Sequence, residues 1–364
     1  MKIILVVGAR PNFMKIAPIW FEMSRLKSYF KPILLHTGQH YDYEMSKVFF
    51  EDLHLPKPEY FLGIGSGTHA EQTARIMIEF EKVLQKERPD LVIVVGDVNS
   101  TLACSVTAKK LQTPIAHVEA GLRSFDMTMP EEINRNVTDA ISDILFTPSM
   151  DGNQNLLQEG VDPIKIHFVG NIMIDSLIKV LNQMIKLDED RILREFGLEK
   201  GHYVLVTLHR PSNVDEKETL WKILNFLNTL SPRIPVIFPV HPRTKKNMNG
   251  FGLNGSVHRN FKIIEPLRYR EFIALEKNPQ FVLTDSGGIQ EETTYLHIPC
   301  LTLRSNTERP VTIIEGTNEL VTIDQLEEKT ELILTGRWKQ GKTPKLWDGE
   351  TGQRIVEVLK KTEL

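Results

Sequence analysis

Cysteine is almost absent from this chain of 364 residues: there are two, Cys104 and Cys300, far apart in sequence and in apolar surroundings. A disulfide scaffold is thereby excluded, and a reducing, cytoplasmic setting is the simpler expectation. Charge of one sign is not in excess either. Lys plus Arg number 44 against 47 Asp plus Glu, a formal net charge of -3, so composition does not favour nucleic acid as a partner. No apolar run approaches the ~20 residues of a membrane span, so no membrane partner is expected. The opening MKIILVVGARPNF has one Lys and an apolar run too short for a signal peptide, and reads as a first core strand.

Several fingerprints are missing as well. No G-x-G-x-x-G follows a strand: Gly63, Gly65 and Gly67 are too closely spaced, and no apolar strand leads into them. There is no G-x-x-x-x-G-K-[ST] and no H-E-x-x-H. NAD, ATP and zinc chemistry lose support, so neither a cofactor nor a metal is expected. Asp188-Glu189-Asp190 imitates a metal-binding pair but sits in a polar stretch, and reads as a solvated face. No Gly/Ser-rich linker and no low-complexity segment interrupts the chain.

What is present is a rhythm. Short β-branched runs, Ile3–Val7, Ile33–His36, Leu91–Val95, Ile115–Val118 and Ile144–Thr147, alternate with amphipathic stretches such as Glu71–Lys86 and Thr101–Leu111. Nearly continuous Val/Ile/Leu marks strands buried on both faces, so the pattern is βαβ and the sheet parallel and doubly wound. After a helical stretch, Ile172–Lys186, and a charged one, Leu187–Lys200, a second series begins: Val204–Thr207, Val236–Val240, Phe261–Ile264, Phe281–Thr284 and Leu301–Leu303. The chain is therefore expected to be α/β, with two Rossmann-like domains, residues 1–170 and 171–349, facing a cleft where ligands bind at strand C-termini.

Polar residues gather where the strands end. Phe281–Glu292 is the clearest case: an apolar strand, then Asp285-Ser286-Gly287-Gly288, then a helix start. Two adjacent glycines let backbone approach a ligand. Ser286 stands at an N-cap position, and a helix N-terminus is a ready phosphate site. Ile3–Val7 runs into Gly8-Ala9-Arg10-Pro11-Asn12, with Lys15 a turn later. Cations at a helix start are unfavourable unless an anion is present. Asp97 follows Gly96 and could either cap the next helix or act. His117 reads as a core histidine, whereas Glu119, a carboxylate ending a buried strand, is harder to dismiss. Pro130-Glu131-Glu132 opens a helix on which Arg135, four residues on, shares a face with Glu131. His209 and His241 each end a strand and precede a proline.

These residues fall in GARPNFMK, TGQH, GDVNST, HVEAGLRS, PEEINR, LHRPSN, TDSGGIQEE and TERP, in that order. Together they resemble the non-hydrolysing UDP-N-acetylglucosamine 2-epimerase family over most of the chain. The resemblance implies the glycosyltransferase-B architecture, with a last helix of about 350–364 packing back on the first domain. It implies a homodimer that acts on a UDP-sugar without NAD and supplies UDP-N-acetylmannosamine for surface polysaccharide. It places the catalytic set on Asp97, Glu119, Glu131, Arg135 and His209. It places the nucleotide set on Arg10, Lys15, Phe272, Ser286, Gly287, Gly288, Glu292 and Arg309. A second, allosteric contact would fall on Gln39 and His40. The short loop Ser124–Pro130 is similar to that of relatives acting on a diacetamido-uronic acid version of the sugar. A glycosyltransferase of the same architecture, a hydrolysing epimerase and a UDP-sugar sensor are the competing expectations.

Overall fold

The computed structural model describes residues 1–38, 53, 55–184, 186–253, 255 and 257–362, with the side chains of Arg10 and of residues 186–188 left aside. Two compact units divide it: residues 1–176 with 345–364, and residues 177–344. Gln39 and His40 lie outside the described residues.

The first unit runs β1 (Lys2–Val7), α1 (Arg10–Arg25), β2 (Lys31–His36), β3 (Tyr60–Phe61), α2 (His69–Glu87), β4 (Leu91–Val95), α3 (Asn99–Lys110), β5 (Ile115–Val118), α4 (Pro130–Ile141), β6 (Ile144–Thr147), α5 (Met150–Gln158), β7 (Ile166–Phe168) and the start of α6 (Ile172–Gln183). Its seven strands order as β3-β2-β1-β4-β5-β6-β7, and the pairs between them are parallel. Ile3–Val7 and Leu91–Val95 are buried throughout, as expected of central parallel strands. The direction of winding reverses between β1 and β4. Loops leaving the C-terminal ends of those two strands diverge, which opens a crevice for ligands.

The second unit repeats the plan with α7 (Lys186–Glu195), β8 (Val204–Thr207), α8 (Pro211–Val214), α9 (Lys217–Leu230), β9 (Val236–Pro239), α10 (Pro242–Phe251), β10 (Phe261–Ile264), α11 (Tyr269–Glu276), β11 (Phe281–Thr284), α12 (Gly287–Leu296), β12 (Cys300–Thr302), α13 (Val311–Ile314), β13 (Asn318–Leu320) and α14 (Leu326–Leu334). Its sheet orders as β10-β9-β8-β11-β12-β13, again parallel, with the reversal between β8 and β11. Apolar side chains of α9 (Leu220, Ile223, Leu227) cover one face with Val204, Val206 and Phe238, and each such side chain contributes about 1.5–3 kcal/mol when fully buried.

The polar stretch after α6 departs from its sequence reading. It forms α7, and Glu189 is buried, accepting from Asn278 at 3.0 Å and pairing with Lys200 at 2.6 Å and Lys277 at 3.0 Å. A buried carboxylate requires such partners, which lie too far along the chain to be foreseen locally.

The change of unit falls inside α6, later than the expected boundary near Gly170. Ser176 donates its hydroxyl hydrogen to the Met14 carbonyl, so the helix start belongs with the first unit. The last helix, α15 (Thr351–Lys361), packs in the first unit too. Asp175 caps it, accepting the N–H of Gly352 at 2.7 Å and of Thr351 at 3.2 Å. Among the described residues no helix is long and apolar enough to cross a membrane.

Burial raises the Asp175 carboxyl from 3.8 to about 6, against the pull of the two N–H groups. The folded chain thus holds this proton more tightly than the unfolded one. The resulting stability is complete below pH 3.8 and is lost as pH rises to about 6. Asp175→Asn removes that slope, worth about 3 kcal/mol at most. Urea midpoints across the acid range check this: parent and variant should converge at low pH and the variant should gain ground above it. Parallel pH curves for the two proteins would contradict it.

Candidate active site

In the first unit the crevice between β1 and β4 is built around buried charge. Asn12, on the first turn of α1, accepts the N–H of Gly8 at 3.1 Å and of Ala9 at 2.8 Å, and donates to the Val95 carbonyl at 3.1 Å. This ties the end of β1 to the end of β4. One turn on, Lys15 places its ammonium against Glu119 Oε2, and both side chains are buried. Glu119 adopts φ 71°, a left-handed conformation that costs a non-glycine residue about 1–3 kcal/mol and is characteristic of functional sites. Its second oxygen, Oε1, is buried and finds no hydrogen-bond partner among the described residues. Gly96 makes the space: a Cβ there would stand 2.9 Å from Lys15 Nζ and 3.5 Å from Glu119 Oε2.

Asp97 does not cap α3, whose N-cap is Val98; its Oδ2 accepts from Arg135 Nη1 at 2.5 Å. Arg135 is 2% exposed. The i,i+4 spacing pairs it with Glu131, but the carboxylate it meets on its own helix is Glu132, at 2.5 Å from Nη2 and 3.1 Å from Nε. Glu132 also accepts from the Ser124 N–H, the Ser124 hydroxyl and the Phe125 N–H, at 2.8–3.1 Å. Burial pushes its carboxyl up, but the Ser124 N–H and the Arg135 guanidinium outweigh burial and hold it below the usual range. Glu132 thus fixes both Arg135 and the loop before α4. That leaves Glu131 half-buried on the first turn, with no hydrogen bond or ion pair to its carboxylate among the described residues.

The second unit gathers its polar groups at β8 and β11. Asp285 is 0% exposed and accepts the N–H of His209 at 3.0 Å, the N–H of Arg210 at 2.9 Å and the Asn213 amide at 3.0 Å. His209 Nδ1 lies 3.0 Å from Asp285 Oδ1. Burial pushes the Asp285 carboxyl up, but His209, Asn213 and the Arg210 N–H outweigh it and hold it low. The His209 ring stands tilted against that of His241, 5.3 Å between centroids, and its side chain keeps 40% exposure.

Ser286 is the N-cap of α12 by backbone, but its hydroxyl makes no capping bond and its N–H goes to Thr284 Oγ1 at 3.0 Å. No acceptor among the described residues takes the N–H of Gly287 or Gly288. Arg309 lies beside this turn: a Cβ on Gly287 would stand 2.6 Å from its Nη1. It is held by Glu308 and by Glu291, at 2.8 Å from Nε. Glu292, 3% exposed, accepts the Tyr269 hydroxyl at 2.6 Å, and Phe272 packs half-buried beside the core of this unit. Lys15 belongs to the acid cluster of the first unit, whereas Phe272, Ser286, Gly287, Gly288, Glu292 and Arg309 all belong to the second. Glu132 and Asp285, to which sequence reasoning assigned no role of their own, are the buried carboxylates that hold these candidates. Among the described residues no group of three His, Cys, Asp or Glu is placed to hold a metal ion.

One doubly wound unit with a buried charge cluster, and a second with open backbone donors and an arginine at a helix start, make an α/β protein with a turn suited to an anion. Comparison gives the family. A model of the UDP-N-acetylglucosamine 2-epimerase family matches residues 23–360. The UDP-N-acetylglucosamine 2-epimerase of Methanocaldococcus jannaschii is 45% identical over 365 residues, with 99% of each chain covered. The UDP-2,3-diacetamido-2,3-dideoxy-D-glucuronate 2-epimerase of Pseudomonas aeruginosa is 41% identical over 367 residues, covering 99% of this chain and 100% of the relative. The crystal structure of the Methanocaldococcus jannaschii UDP-GlcNAc 2-epimerase in complex with UDP-GlcNAc and UDP superposes with a TM-score of 0.90 at 44% identity, covering 100% of both chains. The chain belongs to the UDP-N-acetylglucosamine 2-epimerase family.

The Lys15–Glu119 pair gives the site a measurable signature. Lys15→Met leaves a buried carboxylate without its counter-charge and should destabilise by ~3–5 kcal/mol. Adding Glu119→Gln should recover part of that loss, because the residues are coupled. Urea denaturation of the two single variants and the double variant measures the coupling; strictly additive losses would contradict the pairing.

Proposed function

We propose that this chain inverts C2 of UDP-N-acetylglucosamine to give UDP-N-acetylmannosamine, by eliminating UDP and adding it back. In the first step a carboxylate takes the proton from C2. The C–H electron pair forms a C1=C2 double bond, and the C1–O bond to the diphosphate breaks. In the second step the diphosphate oxygen returns to C1 as an acid protonates C2 on the opposite face. Electrons leave and return with UDP, so the sequence of bonds needs no hydride carrier.

The observation that carries this reading is the half-buried Glu131, whose carboxylate stays unengaged among the described residues while Arg135 holds Asp97 and Glu132, in a chain that belongs to the UDP-N-acetylglucosamine 2-epimerase family. Two faces of C2 call for two proton-handling groups, and general acid–base groups typically contribute ~10²–10⁴-fold. Glu131, the carboxylate that neither Arg135 nor the loop engages, is one. Asp97, oriented by Arg135, is the other, and Glu119 and Arg135 position them. In the second unit, the Gly287 and Gly288 N–H groups with Ser286 and Arg309 would receive the diphosphate, Glu292 the ribose and Phe272 the base. His209, held by Asp285, would sit at the sugar–phosphate junction. Arg10 and Lys15 would add positive charge. Fixed donors of this kind are worth ~10²–10³-fold each.

The likeness to the Pseudomonas aeruginosa protein supports a second reading, in which the sugar is the diacetamido-uronic acid version. Family resemblance supports a homodimer, and two buried free cysteines fit a reducing cytoplasm.

Chromatography of incubations with each UDP-sugar tests the reading. UDP-N-acetylglucosamine should reach equilibrium with its manno epimer. Conversion of the uronate alone would support the second reading; release of free sugar and UDP would contradict a reversible epimerase. Glu131→Gln should lower kcat by ~10²–10⁴-fold while UDP binding measured by calorimetry is retained. Near-parental turnover would reject its role. Gly287→Ala should displace the Arg309 guanidinium and weaken UDP binding by ~tenfold or more, about 1.4 kcal/mol; unchanged affinity would remove that turn from the site.

A further inference from the structure

His117, on β5, is 0% exposed, and both of its ring nitrogens are engaged. Nε2 is 2.9 Å from the Gly96 carbonyl oxygen, and Nδ1 is 2.6 Å from Asp139 Oδ1. A carbonyl only accepts, so Nε2 holds a hydrogen and donates it. Asp139, on α4, is equally buried. Its second oxygen accepts the Gly121 N–H at 3.0 Å and lies 2.7 Å from Arg123 Nη1. Arg123 in turn donates from Nε and Nη2 to the Glu159 carboxylate, each at 2.7 Å. Burial pushes the Asp139 carboxyl up, but His117, Arg123 and the Gly121 N–H outweigh it and hold it low. At 2.6 Å the contact between Nδ1 and Asp139 Oδ1 is a hydrogen bond.

We propose that His117 and Asp139 are positioning residues: the His117 ring, hydrogen-bonded through both nitrogens, ties the Gly96 carbonyl to the carboxylate that holds Gly121, and so fixes the two turns that carry Asp97 and Glu119. Asp97 directly follows Gly96, and Glu119 stands just before Ala120-Gly121. The Gly96 N–H adds a third tie, to the Val118 carbonyl at 3.0 Å. Gly96 and Gly121 have φ 66° and 80°, so both turns are bends that bonding of this kind can hold. The charged groups around the ring are Asp139 from α4, Arg123 from the loop after β5 with Glu159 behind it, and the Lys15–Glu119 pair beside Gly96. The ring touches none of the atoms that would react. Its effect is to keep two carboxylates in register, where small misplacements are costly. The proposal rests on the reading of Asp97 and Glu119 given above.

The test uses the full chain labelled with ¹⁵N-histidine. NMR of the parent should show a slowly exchanging hydrogen on Nε2 of His117, held by the Gly96 carbonyl; an Nε2 without a hydrogen overturns the proposal. Asp139→Asn keeps the shape but weakens the tie to the ring and to Gly121. That variant should lose ~tenfold or more in kcat with KM little changed. A folded Asp139→Asn protein with parental kcat would also overturn the proposal. Should that variant fail to fold, His117→Gln, whose amide still reaches for the Gly96 carbonyl, takes its place with the same expected loss in kcat. Failure of the functional reading registers separately, as parental turnover in Asp97→Asn and Glu119→Gln whatever the state of the ring.

Discussion

A charge taken out of water at the end of a strand has to be answered on the spot, and Glu119 with Lys15 is where this chain does so. Desolvating either ion alone would cost several kcal/mol, so the pair constrains everything beside it. Lys15 must come from α1 one turn after β1, which is why β1 and β4 are tied together through Asn12. Gly96 must lack a side chain, because the ammonium occupies that space. Glu119 must accept a left-handed backbone to aim its carboxylate. One interaction therefore sets the identity of residues on three separate elements, and it still leaves Glu119 Oε1 without a protein partner among the described residues.

The second unit follows the same rule with a different centre. Asp285 ends β11 and is satisfied by backbone and side-chain donors arriving from the end of β8. The carboxylate serves as a buried knot that holds the neighbouring loop, and the turn after it is left with open N–H groups. In both units the candidate residues gather near where the winding of a parallel sheet reverses. In the first unit they are acids and a guanidinium; in the second they are backbone donors, an arginine and a histidine.

Much of this was legible in the residues. Continuous Val/Ile/Leu runs located the central strands, because a strand buried on both faces has no polar side to show. The edge strands β3, β7 and β13 were not legible, being only two or three residues long with little apolar signal. Candidate residues that end a strand, such as Glu119 and His209, stood out by position. The residues that hold the candidates did not. Glu132 looked like one of two equivalent acids at a helix start, and the loop from Ser124 together with Arg135 distinguishes it from Glu131. Asp285 looked like part of a phosphate turn, yet its partners come from residues 209–213. His117 did prove a core histidine, but one whose two partners, Gly96 and Asp139, are distant in sequence and give it more to do than fill space. Partner choice among buried charges is a tertiary property, and local spacing such as the i,i+4 rule does not reach it.

The claim on which the account stands is that carboxylates of the first unit remove and restore the proton at C2. Incubation with UDP-N-acetylglucosamine in heavy water, followed by NMR of the sugar ring, addresses it directly. Deuterium should enter at C2 of the manno product as it forms, and at C2 of the recovered substrate as the reaction reverses. Epimerisation that leaves C2 carrying its original hydrogen would contradict it.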